Sequence, residues 1–517
     1  MKRFFLALSS ALLLVFSSPS FDLEFFTWIA LIPLFLAIKE RGLKYTFSLS
    51  FLTSIIFFEG VLYWINGVKG FNLLDNFVLG VYLSSYFGIF ALLLNLISKK
   101  TKFPFIITAP VLWVSIEYLR SNAGFLALPM VLIGHSQYLN IPLIQIATLT
   151  GAYGVSFLVV MVNAALSEVT YCLIMKREGK VPKGHRNLLL QIGIAFFIMA
   201  ISLTYGFYAI SHKMHQDMIN ITVIQGNISQ DIKWNPLFRK QNLDKHIKLT
   251  KEAVNKGETS LIVWPETSIT VPVKQDLFAL LSLTALMKEI NSSLLFGSSQ
   301  SPKFGSAEFR RANNFNSAFL ISYDKGFAGQ YNKIHLFPFG EYLPFEGNIP
   351  WPARLSSFLS ETGTIIPGKE YTILNLDGVQ FGTVICWESI FPSMFRQFVK
   401  RGAHLMINMT NEAWFGQTAA PYQFLSSTVF RAVENRVSIA RSANTGVSCF
   451  IDPYGRIIGK IQKDERDIFV EGYLTMAVPI SSEKTFYTRH GDIFAYSNII
   501  IALCMIIFSL FKLRKNK

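Results

Sequence analysis

Gly382-Thr383-Val384-Ile385-Cys386-Trp387-Glu388 carries a β-branched apolar run straight into a thiol, an indole and a carboxylate. The same texture recurs at Leu261-Ile262-Val263-Trp264-Pro265-Glu266, which ends in a carboxylate, and a third strand-like stretch, Gly329-Gln330-Tyr331-Asn332-Lys333, ends in an amine. Short apolar runs of this kind read as strands buried on both faces. Others stand at 221–225, 293–296, 316–322 and 405–409, and helix-like stretches at 238–256, 274–290 and 420–436 lie among them. The alternation predicts an α/β domain over residues 212–490, with helices covering the far faces of its sheets. Glu266, Lys333 and Cys386 fall where strands end, which is where such sheets place their chemistry.

A thiol is a weak nucleophile until it loses its proton, so a reactive Cys386 needs a base within hydrogen-bond reach and a cation that favours the thiolate. Glu266 supplies the first and Lys333 the second. A carboxylate in a partly desolvated cleft accepts and returns a proton, and an ammonium beside a backbone N–H stabilises the oxyanion of a tetrahedral intermediate. Glu341, eight residues after Lys333, is a candidate to hold the lysine or to act as a second base. Taken singly, each residue has an ordinary reading: a buried Cys is a small hydrophobe, a strand-end Glu caps a helix, and an edge Lys is solvated. The combination points to chemistry.

The rest of the chain is of a different kind. With 517 residues, 51% hydrophobic, 16% charged and a mean hydropathy of +0.37, the composition is that of a membrane protein, and its 47 Phe and 19 Tyr exclude disorder. Cys172, Cys386, Cys449 and Cys504 are too scattered for a disulfide framework or a structural zinc site. Cys449 reads as strand core, and a disulfide to Cys386 would consume the thiol. Eight apolar runs, at 4–18, 22–38, 46–64, 77–97, 104–119, 153–174, 188–209 and 492–511, mark about seven spans in an N-terminal domain over 1–211 and a final span with a basic tail over 491–517. With the N-terminus inside, the inside segments carry 17 basic residues against Glu40 and Glu178, an excess equal to the whole net charge of +15. The positive-inside rule accounts for that imbalance, so no nucleic-acid partner is implied. Both termini are then cytoplasmic and the 212–490 domain lies outside. Lys2-Arg3, an apolar run and Ser17-Ser18-Pro19-Ser20 also fit a cleavable signal, but the short second run favours an uncleaved helical hairpin.

Trp264-Pro265-Glu266, Asn332-Lys333-Ile334-His335-Leu336 and Cys386-Trp387-Glu388, with 431–435 and 440–446, resemble the motifs of the nitrilase superfamily. That resemblance implies an αββα sandwich with a Glu-Lys-Cys triad. Flanked by membrane spans, the whole chain resembles the apolipoprotein N-acyltransferase family, with further matches at 113–120, at 223–228 and at Lys233-Trp234. The implied fold class is a multi-span α-helical membrane domain plus an α/β nitrilase-like αββα sandwich domain. By position the family's base, cation and nucleophile fall on Glu266, Lys333 and Cys386, its supporting residues on Glu341 and Glu388, and a binding residue on Trp234. Trp387 departs from the Tyr common after the nucleophile in this family: it keeps an aromatic platform and loses a hydroxyl.

The resemblance implies a ping-pong transfer. Cys386 takes an acyl chain from the sn-1 ester of a phospholipid such as phosphatidylethanolamine, and the thioester passes it to the α-amino group of the S-diacylglyceryl cysteine of an apolipoprotein. The implied site is the cytoplasmic (inner) membrane with the catalytic domain periplasmic, and no metal, nucleotide or coenzyme A is required. A thioester that waits for a lipid-linked amine needs a site poor in water. Trp234, Trp264, Phe337, Phe339, Trp351, Trp387, Trp414 and Phe415 are candidates to line an acyl groove. The Gly-, Pro- and aromatic-rich loops 338–351 and 411–422 are expected to be mobile lids. Glu59, Glu117 and Arg120, near span ends, are candidates for contact with a lipid headgroup, and Glu168 has no evident role. The main alternative is a membrane-anchored carbon–nitrogen hydrolase acting on a small amide. A transporter or lipid-binding scaffold would need paired broken helices with midplane charges, and the sequence has no such symmetry.

Overall fold

The computed structural model describes residues 1–19, 21–180, 188–211, 217–302, 314–346, 348, 350 and 364–515. Lys183, Arg186 and Lys517 of the inside charge set, and Gly347 and Trp351 of the first predicted lid, lie outside the described residues. The chain divides into two compact units, one comprising Met1–Asn66, Asn72–Lys213 and His490–Lys517, the other Gly67–Phe71 and Met214–Arg489.

The first unit is helical. Among the described residues four helices are long and apolar enough to cross a membrane: Leu73–Lys100, Ala152–Arg177, Leu188–Ser211 and Ile493–Lys512. Helices also form at Lys2–Phe16, Leu43–Val61 and Phe105–Ser121, over three other apolar runs. Leu73–Lys100 starts at a capping box, in which Asn72 accepts from Leu74 and Asp75 while Asp75 accepts from Asn72, and it ends on Lys99 and Lys100 at the negative end of its dipole.

The second apolar run is not one helix. It is a 3-10 turn, Glu24–Trp28, followed by the helix Ile32–Ile38. The break frees main-chain groups that water cannot satisfy in an apolar setting, and Asn163 takes them up: its side chain accepts from Leu31 N at 2.8 Å and donates to Thr27 O at 2.9 Å. Four charged residues of this unit likewise have partners within it. Glu168 pairs with Lys39, Glu59 accepts from Asn76, and the buried Glu117 and Arg120 bond Ile133 N and the Met130 and Val131 carbonyls. In that geometry Glu117 and Arg120 hold the 130–133 loop.

The second unit holds, among the described residues, two six-stranded sheets. The first contains β1 (Met218–Gln225), β2 (Leu261–Val263), β3 (Ser293–Gln300), β4 (Phe315–Ser322) and β5 (Gly326–Asn332), with β12 (Gly472–Pro479) beside β1. The second contains β6 (Leu374–Leu376), β7 (Val379–Ile385), β8 (Leu405–Thr410), β9 (Ser438–Ala443), β10 (Cys449–Ile451) and β11 (Ile457–Lys460). Each has a parallel centre, β1-β2-β3 or β7-β8-β9, whose strands are wholly buried where they pair. The inner faces meet, and Ser442 on β9 bonds the Ile224 and Val263 carbonyls of the opposite sheet.

Helices cover the outer faces. Arg239–Val254 buries Asn242, Leu243, His246, Leu249, Thr250 and Ala253, a one-sided spacing that lays one stripe on the first sheet. Leu243 and Leu249 join Ile262, Trp264 and Phe296 in one core, each leucine contributing roughly 1.5–3 kcal/mol by burial. Pro392–Lys400 and Ala420–Asn435 lie on the second sheet's side, the former against β7. The layers are helix, sheet, sheet, helix.

Candidate active site

Three strand ends converge in the second unit. Beyond β2, Trp264 turns into the core, where its indole donates to Thr250, and Pro265 leads to Glu266, 7% exposed. Thr267, next in the chain, has φ +45°, a costly value for a β-branched residue. Gly297 on β3 makes room for it: a Cβ there would stand 2.3 Å from Thr267 N. Beyond β5, Lys333 N donates to Asn316 O and the side chain turns inward, 1% exposed. Beyond β7, Cys386 itself takes φ +53° as the chain bends into the 3-10 turn Cys386–Ile390, a sharp strand-to-turn corner that projects the thiol into the cleft.

Lys333 Nζ donates to Glu341 Oε1 at 2.8 Å and lies 3.7 Å from Glu266 Oε1. Asn316 on β4 bridges the two acids, its amide nitrogen 2.8 Å from Glu266 Oε1 and 3.4 Å from Glu341 Oε1. Asn411 N donates to Glu266 Oε2 at 2.8 Å, so both oxygens of this carboxylate are held. Glu341 Oε2 accepts from Phe337 N, which closes the 337–341 turn around Lys333.

Burial pushes the Cys386 thiol up to about 12; Glu266 adds to the rise, and Lys333 and a hydrogen bond with the Thr410 hydroxyl oppose it. A thiol in that state needs a base to react near neutrality. Burial alone would lower the Lys333 ammonium, but Glu341, Glu266 and Cys386 outweigh it and hold the lysine above its ordinary range, firmly charged. Glu388 braces the corner. Its Oε1 accepts from Tyr331 OH, Ile334 N and His335 N and its Oε2 from Ile385 N, so it ties the segment after β5 to the end of β7. Burial pushes Glu388 up to about 7 against the pull of Ile385 N, the Lys333 charge, His335 N and the Tyr331 hydroxyl.

These groups open on a cleft of about 1130 Å³. Glu266, Lys333, Asn316, Asn314 and Ser299 form a polar end, and Trp234, Phe337, Trp387, Trp414, Phe415, Ile365, Val68 and Phe71 form apolar walls. Trp387 stands edge-on to Phe337 with ring centroids 4.8 Å apart. Trp264, expected as a groove residue, is wholly buried in the core, and Phe339 packs on Phe71. Within the 411–422 loop Glu412 is buried in an ion pair with Arg441, which anchors the turn carrying Trp414. Asn316, Asn411 and Lys233, whose Nζ donates to Glu266 O at 2.8 Å, were not legible as site residues. The signal of Asn316 and Asn411 was a polar residue in or just past an apolar run, which is also the ordinary signature of a cap or turn; Lys233 stands in a polar stretch with no such signal. Among the described residues no group of His, Cys, Asp and Glu could hold a metal ion.

An αββα unit with Glu, Lys and Cys gathered in one cleft, on a chain with membrane-length apolar helices, defines a membrane-bound protein of nitrilase type. Residues 10–165 match the apolipoprotein N-acyltransferase N-terminal domain and residues 220–481 the carbon–nitrogen hydrolase family. An apolipoprotein N-acyltransferase of Geobacter metallireducens is 34% identical over 506 residues, covering 96% of this chain and 93% of the relative. One of Chlorobaculum tepidum is 29% identical over 517 residues, covering 95% and 93%. Among solved structures, a nitrilase-superfamily protein of Saccharomyces cerevisiae matches 52% of this chain and 93% of its own at 18% identity, with a TM-score of 0.39. The chain belongs to the apolipoprotein N-acyltransferase family.

Proposed function

We propose that the protein N-acylates the N-terminal S-diacylglyceryl cysteine of apolipoproteins, with a phospholipid such as phosphatidylethanolamine as donor and Cys386 as the acyl carrier. The reading is supported above all by the meeting of Glu266, Lys333 and Cys386 in one buried corner of a cleft with long apolar walls. Glu266 accepts the thiol proton as sulfur attacks the sn-1 ester carbonyl. The oxyanion forms beside the Lys333 ammonium and the N–H groups that open the Cys386–Ile390 turn, which have no partner within that turn. Collapse breaks the ester C–O bond, and Glu266 returns the proton to the departing lysophospholipid hydroxyl. In the second half-reaction the α-amine attacks the thioester, Glu266 takes its proton, and the sulfur leaves as thiolate.

Glu341 holds Lys333 in place, and Glu388 holds the nucleophile corner. Trp234, Trp387 and Trp414 offer apolar surface to the acyl chains. In this reading residues 1–211 and 491–517 are the membrane domain and C-terminal span, residues 212–490 are the catalytic domain, and that domain faces the periplasm from the cytoplasmic (inner) membrane. The first experiment is to incubate the detergent-purified protein with phosphatidylethanolamine alone and weigh the Cys386 peptide before and after hydroxylamine. A hydroxylamine-labile acyl adduct, absent in Glu266→Ala, is expected. No adduct and no lysophospholipid would turn the reading to the second one, a carbon–nitrogen hydrolase of small amides, which the 220–481 match and Trp387 favour. Lysophospholipid release that depends on an amine acceptor separates the two.

A further inference from the structure

The short helical turn Gln230–Lys233 leads into Trp234 of the cleft, yet its last side chain turns the other way, into the protein. Lys233 is 3% exposed, and its hydrogen bond goes to a main-chain carbonyl, Glu266 O, at 2.8 Å. A buried ammonium is costly, so a lysine in this place needs a reason. The turn that carries it is fastened to the surrounding strand ends. Ile228 exchanges two hydrogen bonds with the Asn444 side chain, Asn444 donates to Asn411 Oδ1, and Asn411 Nδ2 donates to Gln230 Oε1. Lys233 therefore approaches Glu266 from a rigid base.

The carbonyl it bonds begins a strained turn. Thr267 at φ +45° is left-handed and β-branched, Gly297 backs it from β3, and Ser268 Oγ and Ile269 N both donate to Gly297 O. Lys233 holds this turn through its first carbonyl. We propose that Lys233 is a positioning residue: its ammonium, bonded to the Glu266 carbonyl, locks the left-handed Glu266–Thr267 turn that aims the Glu266 carboxylate at the Cys386 thiol. The proposal rests on the reading of Glu266 as the base. Its charge has a second effect, because the ammonium and the Cys386 sulfur interact, which favours the thiolate. Arg239 and His246 line a small gap beside it; burial brings His246 down to about 4, so it is neutral at pH 7. Burial lowers Lys233 itself to about 8, with Glu266 and Cys386 opposing, so it remains mostly charged at pH 7.

The test uses full-length protein in detergent with two readouts: the rate of Cys386 acylation by phosphatidylethanolamine, and the pH dependence of Cys386 alkylation by iodoacetamide. In Lys233→Met, acylation is expected to fall about 100-fold at unchanged donor KM, and the alkylation midpoint to move to higher pH. Adding Thr267→Gly, which removes the cost of the left-handed turn, is expected to recover about tenfold of the lost rate. If Lys233→Met does not fold, Lys233→Gln carries the same comparison. A wild-type alkylation profile in the variant, or a loss confined to KM or Tm, would overturn the proposal. If the wild-type protein forms no acyl adduct, the acyl-transfer reading fails, and the alkylation profile still decides the role of Lys233.

Discussion

The two sheets of the α/β unit are built to one plan, and they treat their reactive residues in opposite ways. At the end of β2 the strained residue is Thr267, next to the carboxylate, and Glu266 is held through Asn316, Asn411 and its own carbonyl. At the end of β7 the strained residue is Cys386 itself, and its thiol has the Thr410 hydroxyl as a hydrogen-bond partner. On the proposed reading, one sheet immobilises the base. The other presents a sulfur at a sharp corner and leaves it able to exchange partners. A base that must hand one proton back and forth gains from fixed geometry, whereas a nucleophile must move toward carbon and away again.

Removing either reactive group is the hardest way to break this comparison. Cys386→Ala is expected to abolish the acyl adduct, and Glu266→Gln to lower acylation at least about 1000-fold while leaving the thiol open to alkylation, as measured by mass spectrometry. Acid should then distinguish the two sheets by stability. His246, packed on Trp264 of the first sheet at 5.2 Å between ring centroids, is brought down by burial to about 4 in the folded protein. Its stabilising contribution is therefore complete above its unfolded value near 6.5 and is lost as pH falls from there through about 4. Its full loss is worth about 3 kcal/mol. The raised Glu388 carboxyl acts in the opposite sense over the same range, so the loss is read as the difference between wild type and His246→Gln in thermal unfolding between pH 7 and 4.

Asn316 sharpens the contrast further. Asn316→Ala frees the Glu266–Glu341 bridge and is expected to slow acylation about 100-fold with little change in donor KM, as measured by pre-steady-state release of lysophospholipid. The smallest effect is expected on the nucleophile side. Trp387→Tyr keeps an aromatic edge toward Phe337, and acylation should change less than about tenfold; a larger loss would mean that the indole fills a specific acyl subsite.

Legibility followed locality. β4 and β8 run within a residue of the stretches read from the sequence, because buried strands are continuous apolar runs. β12 escaped notice: its residues are mostly half-buried, and its pairing with β1 joins positions some 250 residues apart. The 24–38 run showed its hydropathy but not its break, since the group that satisfies the break is Asn163, far along the chain. The 411–422 loop looked mobile from its composition, and the buried partner of Glu412, Arg441, is invisible at that range.

The sequence by itself determined which chemical groups are present, that each of three follows a strand, and that a charged α/β domain is set between apolar helices. Those are properties of side-chain type and of short-range periodicity, and a few neighbouring residues suffice to express them. Tertiary structure alone decided that Asn316 and Asn411 hold the two oxygens of Glu266 and that Lys233 bonds its carbonyl. These partners stand 50, 145 and 33 residues away along the chain. Burial sets the thiol's proton affinity in the same way, because both the loss of water and the nearby charges come from segments that only folding brings together.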